Sequence, residues 1–267
     1  MLNEFIEYLE SQVDKGLYVL GGQTQVIHSS IVFEDDTEKK SLGTLKQWME
    51  RIGQSNNYST VYKLYQKRLK ALGDIPLRIM DCSGLGMNFI QNMKHMVKGD
   101  MTANGMLGKC KRLTKAELKK GDWVFRTYKT GVNKGNAYHI GYIVDSDLNV
   151  VEDYGKTKGV IKRPIDTSYW NTYGRPSYFR EEIEHEEKSK VVFTRVLKRV
   201  KPTMTGDDVK ALQTMLNEAN GANLAVDGKF GTATEKAVKS YQKLKGLVVD
   251  GKAGKNTITA LGGIYKK

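Results

Sequence analysis

The sequence predicts an α+β fold in which helices pack on an antiparallel sheet, followed by a small all-α domain of three helices. Three observations carry that expectation. Apolar residues recur at helical spacing as far as Met93, and from Gly121-Asp122 onward the period switches to strand-like alternation. Past a charged stretch at 181–190 (EEIEHEEKSK), a near-repeat of Asp-Gly-Lys turns is set between helical patterns. Helices first and short strands afterwards is the signature of α+β architecture.

The first helix has Leu2, Phe5, Ile6, Leu9 and Val13 on one face and ends at Gly16. Tyr18-Val19-Leu20-Gly21-Gly22 follows as an extended piece closing on a glycine turn. Residues 23–80 form a long polar insert with helical patterns at Thr44–Ile52 and Ser59–Leu72 and a break at Gly73-Asp74-Ile75-Pro76. A third major helix is expected to start at Cys82, burying Leu85, Phe89, Ile90 and Met93. Trp123–Tyr128, His139–Val144, Asn149–Tyr154 and Val160–Pro164 are predicted strands, with Asp145-Ser146-Asp147 as one of the turns. The expected organisation is a first domain over 1–184, a linker over 185–194 and a second domain over 195–267. In the second, Val226-Asp227-Gly228-Lys229-Phe230-Gly231 recurs as Val249-Asp250-Gly251-Lys252-Ala253-Gly254, so two like turns pin three helices.

Composition narrows the class. No run of residues is long and apolar enough for a membrane helix, so no membrane insertion is expected. The start, MLNEFIEYLESQVDKG, lacks the basic and apolar parts of a secretory signal, which leads us to expect synthesis in the cytoplasm and release by another route. Two cysteines exclude a disulfide framework, and four scattered histidines give no metal spacing, so no metal or cofactor is expected. Of the net charge of +13, residues 191–267 carry 14 Lys+Arg against 6 Asp+Glu. That excess suggests a polyanionic partner, either nucleic acid or a charged cell wall.

Cys82 is the candidate nucleophile. At a helix start its sulfur would feel free N–H groups and the positive end of the macrodipole, which favour thiolate. His139 opens an apolar strand and could take the thiol proton and later protonate a leaving amine. Cys110, in a Gly-Lys-rich loop, is read as a bystander, and His28, His95 and His185 have weaker contexts. A third group should fix the imidazole, and Glu152 and Asp153 are the neighbours that offer one. Successive strand residues face opposite ways, so only one of the two can serve.

Four segments in order resemble the NlpC-type cell-wall cysteine peptidases, a papain-like superfamily. They are Tyr18-Val19-Leu20-Gly21-Gly22, Asp81-Cys82-Ser83-Gly84-Leu85, Leu118-Lys119-Lys120-Gly121-Asp122-Trp123-Val124-Phe125 and His139-Ile140-Gly141. The resemblance covers about residues 1–180 and implies a papain-like catalytic domain. It further implies hydrolysis of an amide bond in peptidoglycan stem peptides, next to γ-linked D-glutamate. Cys82 would be the nucleophile and His139 the base, while Tyr18, Asp81 and Ser83 would seat the substrate. The family's third residue is usually His, sometimes Asn or Gln. Glu152 stands in that place here, with Asp153 as the fallback, and a carboxylate can still orient an imidazole. The 23–80 insert is longer than the family's connection and is expected to form a wall or lid over the cleft.

The tail resembles the three-helix peptidoglycan-binding domain through Gly206-Asp207-Asp208-Val209-Lys210-Ala211-Leu212-Gln213, the two turns and Ser240-Tyr241-Gln242. Bacterial peptidoglycan and anionic wall polymers then replace nucleic acid as the expected partners, with salt-sensitive attraction. The whole resembles a phage or prophage endolysin. An N-acetylmuramoyl-L-alanine amidase, a non-catalytic wall-binding protein and, more remotely, an acyltransferase are the competing readings.

Overall fold

A computed structural model describes residues 1–189 and 191–266, the side chains of 185–189 excepted. The chain divides into two compact units, Met1–Ile183 and Glu184–Lys267.

In the first unit, helix α1 (Leu2–Ser11) buries Leu2, Phe5, Ile6, Tyr8 and Leu9. Strand β1 (Leu17–Tyr18) follows, then β2 (Val26–His28), β3 (Ile31–Phe33) and β4 (Ser41–Thr44). Helix α2 (Leu45–Arg51) starts on a capping box in which Thr44 and Gln47 satisfy each other's backbone N–H. Helix α3 (Tyr58–Leu72) stops at Gly73, whose φ of 79° is open to glycine, and β5 (Leu77–Met80) leads to Cys82. The segment expected as a helical insert is therefore half sheet. Its four strands join β1 in a five-stranded sheet, in the order β1-β5-β2-β3-β4, over a separate apolar cluster that includes Leu17, Ile27, Trp48, Leu64 and Ile79. Parallel pairing of β1 with β5 sets Tyr18 beside Met80, so the insert closes the gap between the first motif and the cysteine.

Helix α4 (Cys82–Met87) begins where the sequence places it and continues as a wider π-helical turn over Asn88–Met93. Leu85, Phe89 and Ile90 are buried, but Met93 is 48% exposed, because the wider turn carries it off the face that helical spacing assigns. Helix α5 (Ala103–Gly108) and strand β6 (Cys110–Leu113) come next, so Cys110 opens a strand rather than lying in a loop. The predicted strands are β7 (Trp123–Thr127), β8 (Ala137–Ile143), β9 (Asn149–Asp153) and β10 (Val160–Pro164), and an unpredicted β11 (Thr172–Pro176) joins them. They make an antiparallel six-stranded sheet in the order β10-β9-β8-β7-β11-β6. One face meets α1 and α4 through Phe5, Leu85, Phe125, Ile140, Tyr142 and Val151. Val124, Ile143, Val150 and Trp170 cluster separately. Strand alternation puts them on the opposite face.

Helix α6 (Arg180–Ser189) occupies the start of the expected 185–194 linker, whose residue 190 and whose 185–189 side chains, His185 included, lie outside the described residues. The second unit holds β12 (Val192–Phe193), α7 (Asp207–Asn220), α8 (Thr232–Leu244), α9 (Lys255–Ala260) and β13 (Ile264–Tyr265). Its core is Phe193, Val209, Leu212, Leu216, Phe230, Val238, Tyr241 and Ile258. The sequence repeat is a repeat of hydrogen bonds. Gln213 Nε2 donates to Asp227 Oδ1 (2.8 Å), and Gln213 Oε1 accepts from the Gly228 N–H (2.9 Å). Gln242 does the same with Asp250 (2.9 Å) and Gly251 (2.9 Å). Among the described residues no helix is long and apolar enough to cross a membrane.

Candidate active site

Asp81 caps α4 and organises everything around Cys82. Its Oδ1 accepts from the N–H groups of Ser83 (3.1 Å) and Gly84 (2.8 Å) and from the Ser83 hydroxyl (2.9 Å). Its Oδ2 accepts from the Gly21 N–H at 3.0 Å, tying the first motif to the second. Glycine at 84 is required by space, since a Cβ there would lie 2.3 Å from the Gly22 carbonyl oxygen. The Gly86 N–H donates to Tyr142 Oη (3.1 Å), and that hydroxyl donates to the Cys82 carbonyl (3.1 Å), fixing the helix start against β8.

The expectation of a favoured thiolate is corrected here. Burial, followed by the negative charge of Asp81, pushes the Cys82 thiol up to about 12, against which the N–H groups of Ile140 and Ser83 act weakly. Two of the helix-start donors, the N–H groups of Ser83 and Gly84, are already bonded to Asp81. Cys82 therefore rests as a thiol, with its sulfur at the Ile140 N–H.

His139 and Glu152 meet across neighbouring strands. His139 Nε2 lies 2.7 Å from Glu152 Oε2, and the carboxylate is fully buried. Arg163 Nε donates to the other oxygen, Oε1, at 2.7 Å, so the buried charge is paired. The ring stacks on Trp170 at 5.4 Å and 7°, with Tyr169 edge-on at 6.2 Å. With Nε2 held by the carboxylate, Nδ1 is the nitrogen left for a proton. The imidazole and the thiol are carried on adjoining parts of the chain, Cys82 beside the peptide of Ile140, without a hydrogen bond between the two side chains among those described.

Of the two neighbours, Glu152 faces His139, and Asp153 turns to the face that holds α4. Asp153 is fully buried, and burial, reinforced by Asp81 and Glu152, raises its carboxyl well above the usual carboxylate range. It lies near Tyr18, whose hydroxyl is pushed up by burial first, with the Asp81 carboxylate adding to the effect. Tyr18, Asp81, Ser83, Cys82 and Asp153 thus form one group, and His139, Glu152, Arg163 and Trp170 another, adjoining at Ile140. Cys110 lies apart, its thiol pushed up to about 12 by burial and donating to the Met106 carbonyl (3.3 Å).

Arg163 and Trp170 escaped the sequence. Arg163 could have been found by pairing the predicted strands, since β9 and β10 align Arg163 with Val150, two places from Glu152 on the same face. Trp170 lies outside any periodic segment and carried no signal. No group of three or more His, Cys, Asp or Glu suited to a metal ion occurs among the described residues.

The chain is similar to known proteins in two regions. Residues 66–175 match the NlpC/P60 family, and residues 205–261 match the peptidoglycan binding domain family. The chain is 34% identical to an autolytic lysozyme of Clostridium acetobutylicum over 114 residues, covering 41% of this chain and 35% of that protein. It is 43% identical over 56 residues to an N-acetylmuramoyl-L-alanine amidase of Mycobacterium tuberculosis, covering 21% of this chain and 14% of that protein. The matched regions thus span about a third or less of these curated relatives. Among solved structures, the P60 domain of an antigen from M. avium subspecies paratuberculosis aligns with 14% identity and a TM-score of 0.39, covering 65% of this chain and 93% of that one. The peptidoglycan hydrolase RipB of M. tuberculosis aligns with 15% identity and a TM-score of 0.36, covering 65% of each chain. The NlpC/P60 match thus lies over the cysteine–histidine unit and the peptidoglycan-binding match over the repeated-turn unit, so the chain carries an NlpC/P60 domain followed by a peptidoglycan-binding domain.

Proposed function

We propose that this protein hydrolyses an amide bond in the stem peptide of peptidoglycan, next to γ-linked D-glutamate, and is held to the wall by its second unit. The observation that carries the reading is the buried Glu152–His139 hydrogen bond of 2.7 Å beside a capped helix that begins on Cys82. His139 Nδ1 takes the thiol proton as Sγ attacks the amide carbon, and backbone N–H groups near Cys82 receive the oxyanion. The C–N bond then breaks, the imidazolium gives its proton to the departing amine, and a thioester remains on Cys82. Water, deprotonated by the same imidazole, releases the acid and restores the thiol. Because the resting thiol is protonated, proton transfer accompanies attack. Tyr18 lines the cysteine side, where it can meet substrate. Asp81 and Ser83 support the cleft from beneath through the bonds already described. The protein would be made in the cytoplasm and reach the wall after release.

Purified walls digested with the wild-type protein and with Cys82→Ala test this reading. New amino termini within the stem peptide, absent with the variant, are expected by mass spectrometry. Glycan strands freed of whole peptides would instead indicate an amidase. Undiminished cleavage by Cys82→Ala would remove the cysteine mechanism.

A further inference from the structure

Strands β7 and β8 pair with Arg126 opposite His139, and the ladder then slips so that Thr127 faces Ala137 and Tyr138 bulges outward. Residues directly opposite in an antiparallel pair project from the same face, about 5 Å apart at Cβ. Arg126 therefore stands on the imidazole's side of the sheet. Its guanidinium carbon lies 4.3 Å from the centre of the Tyr169 ring and 5.2 Å from that of Tyr138. Tyr169 is the ring set edge-on to His139. The same ring carries a second guanidinium, Arg163, at 4.5 Å.

The two arginines differ in one respect. Arg163 is neutralised by Glu152, whereas Arg126 has no carboxylate partner among the described residues. Contact with two tyrosines would by itself explain a packed arginine. It does not explain a pair of like charges on one ring, within about a Debye length of each other, of which only Arg163 is ion-paired. An anion from outside would complete the set. The rim is open to one, since Tyr138 is 41% exposed and Tyr128, its ring tilted against Tyr138 at 4.7 Å, is 45% exposed.

We propose that Arg126 binds a free carboxylate of the substrate, beside the base that serves the scissile amide. This rests on the hydrolase reading above. A γ-linkage leaves the α-carboxylate free on the residue that supplies the scissile carbonyl, so that group is the one within reach. Arg126 would then select walls whose γ-linked glutamate is an acid over those in which it is amidated. Planar, two-pronged recognition of a carboxylate is the geometry guanidinium suits, and a carboxamide, with one acceptor and no charge, fills it poorly.

The test uses two soluble peptides that differ only in whether the γ-linked D-glutamate bears an α-carboxylate or an α-carboxamide. Binding to full-length Cys82→Ala is measured by calorimetry, and cleavage by protein with Cys82 intact is measured alongside. The carboxylate peptide is expected to bind Cys82→Ala about tenfold or more tightly than the carboxamide. Adding Arg126→Gln should remove that preference while changing carboxamide binding less than about threefold, and Arg126→Lys should restore part of it. Equal binding of the two peptides, binding of neither, or an equal loss for both in Arg126→Gln would overturn the proposal. Preferential binding without cleavage by the intact protein would sink the hydrolase reading and leave the carboxylate site standing.

Discussion

Replacing Gly86 by alanine should loosen the joint between α4 and the sheet. A Cβ at this position would lie 2.5 Å from Tyr142 Oη and 2.8 Å from two of its ring carbons. Tyr142 is 1% exposed and packs edge-on to Phe5 (5.6 Å) and Trp123 (5.8 Å), so it has nowhere to go. Overpacking of this kind costs about 1–3 kcal/mol, and weakening the Gly86–Tyr142–Cys82 hydrogen bonds adds roughly 1 kcal/mol. Alanine's better helix propensity returns about 1 kcal/mol. The net loss is then about 2 kcal/mol. Trp48, Trp123 and Trp170 are the chain's three tryptophans, and all fall in the first unit, so urea unfolding followed by tryptophan fluorescence reports that unit alone. In a Tyr142→Phe background, which lacks the oxygen at the closest contact, Gly86→Ala should cost about 1 kcal/mol less. A Gly86→Ala protein as stable as the wild type, or costs that simply add in the double variant, would refute the steric reasoning.

Three other outcomes are expected. Glu152→Gln should lower kcat on wall fragments at least about tenfold, because it removes the charge that stabilises the imidazolium and leaves Arg163 unpaired; Asp153→Asn, changing a buried carboxyl that faces away from the imidazole, should act far less on rate. In the second unit, Arg195 donates to both Asp208 oxygens at 2.7 and 2.9 Å, and this partner holds the Asp208 carboxyl below its ordinary range. A depressed carboxyl contributes stability that is present above the unfolded-state value and is lost as pH falls through the folded one. Arg195→Gln should therefore move acid unfolding of α7 and α8, followed by their amide NMR signals, to higher pH. Gln242→Ala should destabilise the second unit by about 2–4 kcal/mol, because a 2% exposed side chain that makes four hydrogen bonds leaves the Asp250–Lys252 turn unclamped; circular dichroism of the tail helices checks it.

What could be read in advance follows from how each residue is held. Helix α1, the helix start at Cys82 and four of the six strands of the main sheet were legible, since each has one periodic face or a cap. Strand β6 was hidden because Lys111 and Arg112 are exposed at a sheet edge, so no alternation marks it. Strand β11 was hidden by Gly174 and Pro176, which normally break strands; Gly174 is there because a Cβ would meet Cys110 Cβ at 2.5 Å. The choice between Glu152 and Asp153 could not be made from pattern. β9 is covered on both faces, so Val150 and Val151 are equally apolar and give no parity. Arg126 and Arg163 became visible only as cross-strand neighbours, a relation that lies in register rather than in either strand's own sequence.

The short pairing of β12 with β13 has an architectural consequence. Val192 lies beside Ile264 and Phe193 beside Tyr265, so the first and last strands of the second unit run side by side. A module whose two ends leave from one place can be spliced into a surface loop, or strung in tandem, without disturbing its interior. Grafting residues 191–266 between two loop positions of an unrelated carrier, with a few glycines and serines on each side, should therefore preserve its helices and core. The portability of the unit is written in two pairs of residues.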